Sequence, residues 1–264
     1  MFPALVFSAV ASKSPAYIAQ LGSAAVLASV VLGCCAIASL AISSALWLDR
    51  KMSVALMLNA CFMNCVYIGF PVVYLLLGDA GLAPASIFVL IIGIMHLTVG
   101  VALAAGGSGK RISARRLADS VLSFPPAFAL IVALVMVYLR AALPSGVFTT
   151  LDYIGKPAMF LMLLFVGYQL PLVNPRKYAP TLTAVGLIRF ILSPLVILVG
   201  IKTLGIGEFI GKSALILAVM PPAVFNLMLA QNFNLDLRLY GAVVFYLTFV
   251  SLFAVIPLVL YFAF

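Results

Sequence analysis

Negative charge is nearly absent from this chain: six Asp and Glu residues stand among 264. All of them, Asp49, Asp79, Asp119, Asp152, Glu208 and Asp236, lie at or beyond the ends of apolar stretches. No carboxylate sits deep in such a stretch, where a proton relay or a pair of catalytic acids would need one. The HExxH pattern of zinc hydrolases and the GxSxG turn of serine hydrolases are both missing, so an enzyme is not expected. Cysteine is scarce as well. Cys34, Cys35, Cys61 and Cys65 fall inside apolar stretches and read as small packing residues, neither a disulfide framework nor a zinc site. Cys61 and Cys65 share a helical face, but no His or carboxylate clusters with them to hold a metal. No basic stretch precedes the first apolar run, which argues against a cleaved signal peptide.

What fills the chain is hydrocarbon: 66% of residues are hydrophobic and 8% charged, against roughly a quarter charged in soluble domains. Nine apolar segments follow one another, approximately Met1 to Ser12, Ala19 to Leu48, Ser53 to Gly78, Ala85 to Ala105, Leu117 to Leu139, Pro157 to Val173, Ala179 to Ile201, Lys212 to Gln231 and Leu239 to Phe264. Most reach the roughly 20 residues needed to cross a bilayer as a helix. The fold class expected is an all-α polytopic membrane protein with the lipid bilayer as its solvent. Segment one, rising only about 18 Å, is short of a full span and reads as re-entrant or truncated.

The net charge of +9 would suggest nucleic acid in a soluble protein, but here Lys and Arg fall in the connections and report topology. No nucleic-acid partner is expected. Arg50, Lys51, Lys110, Arg111, Arg115, Arg116, Arg176, Lys177 and Arg238 lie on one side; Lys13, Arg140, Lys156, Lys202 and Lys212 lie on the other. The first set is the larger and contains the densest cluster, which places it in the cytoplasm of a cell-membrane protein. The N-terminus is then cytoplasmic and the C-terminus outside.

Segments three and eight depart from plain Leu, Val, Ala and Ile helices. LNACFMNCVYIGFPVV carries Asn59, Asn64, Gly69 and Pro71; AVMPPAVFNLMLAQN carries Pro221, Pro222, Asn226 and Gln231. Proline inside a helix removes a backbone hydrogen bond, and in lipid the freed groups must find partners within protein or a wet cavity. Interruptions are therefore expected near Gly69 to Pro71 and near Pro221 to Pro222, meeting in the interior. Paired interruptions in two halves point to a transporter's binding site. The run Pro3 to Phe7 resembles Pro157 to Leu161, and segments three and eight follow these runs by the same interval. An odd offset of five segments reverses direction, so inverted five-helix repeats are expected: 1–105 with its first helix lacking, a cytoplasmic loop 106–118, and 119–264.

Within the segments, Arg189 has two readings open: a fixed charge for an anion, or a bond to carbonyls freed at a break. Asn64 and Asn226 read equally as ligand-binding amides or interhelical glue. His96 reads as a packing residue or a proton shuttle.

MFPALVFSAVA, NCVYIGFPVVYLLLGDAGL, SFPPAFALIVAL and MPPAVFNLMLAQNFNLD together resemble the auxin efflux carrier family, which includes plant PIN proteins and microbial malate and malonate permeases. The resemblance covers nearly the whole chain, from that family's second helix onward. It implies crossed broken helices, a homodimer and a small organic anion as substrate: a malate- or malonate-like carboxylate or an auxin-like acid. Substrate-binding candidates are Asn64, Gly69, Pro71, Arg189, Pro221, Pro222 and Asn226. No organic cofactor is expected; Na⁺ and H⁺ coupling both stay open. The competing function is a transport-inactive scaffold or channel-like protein.

The charge count is directly testable. A cysteine placed at Ser113, labelled by an impermeant maleimide, should react only after permeabilisation of the cells; labelling from outside intact cells would reverse the topology.

Overall fold

The fold is that of a computed structural model, which describes residues 1–110, 112–141, 144–169 and 174–263. It is all helical, and among the described residues the one β-type pairing is an isolated antiparallel bridge between Met63 and Pro222. We number the helices α1 (Phe2–Ala11), α2 (Pro15–Ala45), α3 (Arg50–Cys61), α4 (Cys65–Leu77), α5 (Asp79–Gly107), α6 (Ala114–Leu122) and α7 (Pro125–Tyr138). They continue as α8 (Ser145–Gly155), α9 (Pro157–Gln169), α10 (Arg176–Leu204), α11 (Glu208–Ala218), α12 (Phe225–Asn232) and α13 (Leu237–Tyr261). Helices α2, α5, α10 and α13 are each long and apolar enough to cross a membrane, and so is the stretch Gly146–Phe165 that joins α8 to α9. The chain is an all-α polytopic membrane protein.

Two differences from the sequence reading have clear causes. Residues 145–155, read as a connection, form α8; its sequence SGVFTTLDYIG mixes polar and apolar residues too evenly for an apolar-run criterion to register. The first interruption lies at Phe62 to Asn64 and not at Gly69 to Pro71. Pro71 stays inside α4 because the turn before it, Cys65–Gly69, is a wide π-type turn. The same device recurs before Pro194, where Ile188–Leu192 is wide, and before Pro257, where Ser251–Val255 is wide. A turn with an extra residue relieves the i to i−4 geometry that proline cannot satisfy. The second interruption, between the end of α11 at Ala218 and the start of α12 at Phe225, contains Pro221 and Pro222 as expected. The sixth apolar segment, Pro157 to Val173, runs into residues 170–173, which lie outside the described residues.

Helices α3, α4, α11 and α12 form the centre. Helix α2 packs on α3, α5, α10 and α11; α5 also lies against α11, while α10 lies against α13. Helix α1 packs on α7, α8 and α5. The central helices approach closely where small residues allow it. A Cβ added to Gly69 would lie 2.6 Å from Leu217 Cδ2 and 3.2 Å from Met220 Cγ, which are parts of α11 and of the stretch after it. Gly33 on α2 has nothing within 4 Å.

Gly69→Val should accordingly destabilise the detergent-solubilised protein by about 2 kcal/mol through overpacking, and Gly33→Val should not. Loss of the monodisperse size-exclusion peak on heating measures both; equal behaviour of the two variants would contradict the close approach at Gly69.

Candidate functional site

Where α3 ends, its last carbonyls lose their i+4 donors, and where α4 begins, its first N–H groups lose their acceptors. The same holds at the ends of α11 and α12. The two gaps lie side by side. The N–H of Asn64 donates to Pro221 O (2.8 Å), and the N–H of Ala223 donates to Phe62 O (2.9 Å). Met63 and Pro222 thus occupy the non-hydrogen-bonded position of a short antiparallel pair. That is the position where proline's missing N–H costs nothing.

The remaining free carbonyls are met by side chains from neighbouring helices. Arg189, 0% exposed on α10, donates from Nη1 to Ala60 O (3.2 Å), from Nη2 to Ala218 O (2.5 Å) and to Met63 Sδ (3.4 Å), and from Nε to Met220 O (3.4 Å). Ser193, one step further along α10, adds a bond to Ala218 O (2.9 Å), and Ser251 on α13 donates to Val219 O (2.9 Å). One guanidinium therefore joins the C-terminal ends of α3 and α11, the ends at which helix dipoles favour positive charge.

On the other side of the crossing runs an amide network. Asn226 Nδ2 donates to Leu58 O (3.0 Å) and to Asn59 Oδ1 (3.2 Å), and Asn59 Nδ2 donates to Ala55 O (2.9 Å). Both Asn226 donor directions are then used, so its Oδ1 faces His96 Nε2 at 2.8 Å as an acceptor. This assigns the proton of a neutral imidazole to Nε2 and the lone pair to Nδ1. The His96 ring stacks on Phe62 at 4.1 Å and meets Phe225 edge-on at 4.9 Å. Gly100, across the wide turn His96–Gly100, leaves it room: a Cβ there would lie 2.6 Å from His96 Cδ2.

His96 also lines a cavity of about 330 Å³ beside the crossing. Met63, Asn64, Cys65, Val66 and Tyr67 form the wall from the first break, and Ala223 and Phe225 the wall from the second. Phe2, Val89, Ile92, Gly93, Leu97, Phe124, Pro126 and Met162 complete a mostly apolar lining. No Asp, Glu, Lys or Arg is among its described lining residues. Asn64 caps α4, its Oδ1 accepting from the N–H of Tyr67 (3.2 Å), while its buried Nδ2 has no hydrogen-bond partner.

The sequence candidates thus separate into three places. Asn64 lines the cavity, with Asn226 one hydrogen bond behind His96. Pro221 and Pro222 form the crossing itself. Gly69, Pro71 and Arg189 are not on the cavity wall: the first two lie further along α4, and the guanidinium of Arg189 is committed to carbonyls. Tyr67 and Phe225 were missed as wall residues, although each is an aromatic within a few residues of a break.

Two interrupted helices that satisfy each other's backbone next to a mostly apolar cavity, in a polytopic helical membrane protein, are an arrangement that suits membrane transport. The comparison with known proteins agrees. The sequence pattern of the family described as "Membrane transport protein" matches residues 1–116 and 111–261. The chain belongs to this family, the auxin efflux carrier family that its motifs resemble. Among its relatives, an uncharacterized transporter of Methanothermobacter thermautotrophicus is 29% identical over 209 residues, covering 78% of this chain and 67% of the relative. The uncharacterized transporter MJ1031 of Methanocaldococcus jannaschii is 26% identical over 215 residues, covering 77% of this chain and 66% of the relative. The matched part spans about two thirds of each of these proteins.

The geometry of Arg189 predicts a structural phenotype. Arg189→Gln takes their guanidinium donor from two buried carbonyls, Ala60 O and Met220 O, while Ala218 O keeps Ser193, at about 1 to 3 kcal/mol for each carbonyl left unpartnered. Folded yield and thermal stability in detergent should fall well below those of Asn64→Ala. A fully stable Arg189→Gln protein would mean that water or a rearranged neighbour serves those carbonyls equally well.

Proposed function

We propose that the protein carries a small organic anion, a carboxylate, across the cell membrane. The observation that carries this reading is the Asn64 Nδ2 donor, buried and unpartnered at the N-terminal end of α4 on a cavity wall without carboxylates. An amide donor at a helix N-terminus favours an oxyanion over a cation. The apolar and aromatic remainder of the wall suits a hydrocarbon or ring attached to the carboxylate. Support also comes from the membership of a membrane transport family. Within this reading the two crossing helices belong to inverted repeats 1–105 and 119–264, the loop 106–118 is cytoplasmic, and two copies form a dimer.

Uptake into proteoliposomes tests it. Labelled malonate and indole-3-acetate should enter faster than protein-free controls, and the organic cation tryptamine should not. Asn64→Ala should lower carboxylate uptake by about tenfold, the loss of one charge-assisted hydrogen bond. Preference for tryptamine, or carboxylate uptake unaffected by Asn64→Ala, would overturn the assignment.

A further inference from the structure

We infer that His96 is a proton-binding site of the carrier, and that one proton enters the cavity on its Nδ1 together with each carboxylate. The inference rests on the organic-anion reading above and adds to it the coupling ion. The Asn226 amide fixes Nε2 as the donor side of the ring. Nδ1 is then the nitrogen left for a ligand on a ring that lines the cavity. A carboxylate alone against this mostly apolar wall lacks a counter-charge, and so does an imidazolium alone. Together they neutralise each other and form a charge-assisted hydrogen bond, so each raises the affinity for the other.

Among the described residues the wall offers no charged side chain as a competing partner, and the other titratable side chains facing the cavity with His96 are Cys65 and Tyr67 from α4. The crossing contributes Phe62 and Met63, and α12 contributes Phe225 and Asn226. Helices α1, α7 and α9 contribute Phe2, Pro126 and Met162, with Phe124 just before α7. Helix α6 packs on the segment His96–Gly100 with Arg115 and Asp119 exposed. The carbonyls freed at the ends of α3 and α11, groups of the kind that coordinate Na⁺ in other broken-helix carriers, hold the Arg189 guanidinium instead. The cation place at the crossing is thus filled by the protein itself, which leaves His96 to bind the mobile one. The proton binds Nδ1 on the side of entrance, and the carboxylate accepts a hydrogen bond from the new N–H. Both leave together when the site opens on the far side: the Nδ1–H bond formed on the entrance side breaks there, returning the proton to water and the imidazole to its neutral form.

The chain has one histidine, so protein labelled with [¹⁵N]histidine and purified without a histidine tag gives one pair of imidazole signals. In lipid nanodiscs at neutral pH these should report an Nε2–H tautomer without ligand. Saturating malonate should convert Nδ1 to a protonated nitrogen. Calorimetry in buffers of different ionisation enthalpy should return close to one proton taken up per malonate, falling to none in His96→Gln. Malonate that binds with the imidazole unchanged, or with proton uptake surviving in His96→Gln, overturns the coupling while leaving the anion reading in place. Malonate that neither binds nor enters proteoliposomes overturns the anion reading for this probe and the coupling with it. The NMR measurement uses the unmodified chain, so a folding defect in His96→Gln does not suspend the outcome.

Discussion

In a bilayer a broken helix must find partners for every backbone group it frees, and the centre of this protein is organised by that requirement. Breaking α3 from α4 and α11 from α12 exposes carbonyls and N–H groups in a place without bulk water. The two breaks meet the demand by pairing with each other through Asn64, Pro221, Phe62 and Ala223. The rest falls to Arg189, Ser193, Ser251 and Asn226, which come from three different helices. A charged residue that is costly in hydrocarbon is stable here because it donates to several otherwise unsatisfied acceptors at once. The crossing, the buried arginine and the amide network are therefore one construction.

The cavity depends on that construction. Since Arg189 and the serines take the carbonyl ends on one side, the helix-start side is the one that lines the cavity, with Asn64 at the beginning of α4 and Phe225 at the beginning of α12. The polarity of the two half-helices is thereby divided: negative ends are occupied by protein, and positive ends face open volume. His96 stands at the boundary, tied through Asn226 to the crossing and through its ring to the cavity.

Much of this could be read from residues. Long apolar runs gave the spans, and Pro221 with Pro222 gave the second break, because two adjacent prolines cannot be absorbed by one turn. Asn64 and Asn226 were visible as amides with no business in lipid. The first break was misplaced by several residues, since a single proline preceded by a wide turn stays helical, and nothing in FMN marks an interruption by itself. The choice between the two readings of Arg189 needed the carbonyl positions, which depend on α3 and α11 arriving from distant parts of the chain. His96 could not be ranked for the same reason: its partner Asn226 is 130 positions away.

The wide turn in α10 has a geometric result of its own. Val185, Arg189, Ser193 and Ile197 recur every fourth position and are all 0% exposed. On a regular α-helix, steps of four overshoot a full revolution by about 40° each, so this row would wander about 120° around the cylinder. The extra residue in Ile188–Leu192 slows the winding and holds the row in line. Arg189 and Ser193 consequently aim at one and the same oxygen, that of Ala218. A helical wheel drawn at the ordinary pitch would have set the ends of the row, Val185 and Ile197, about 120° apart.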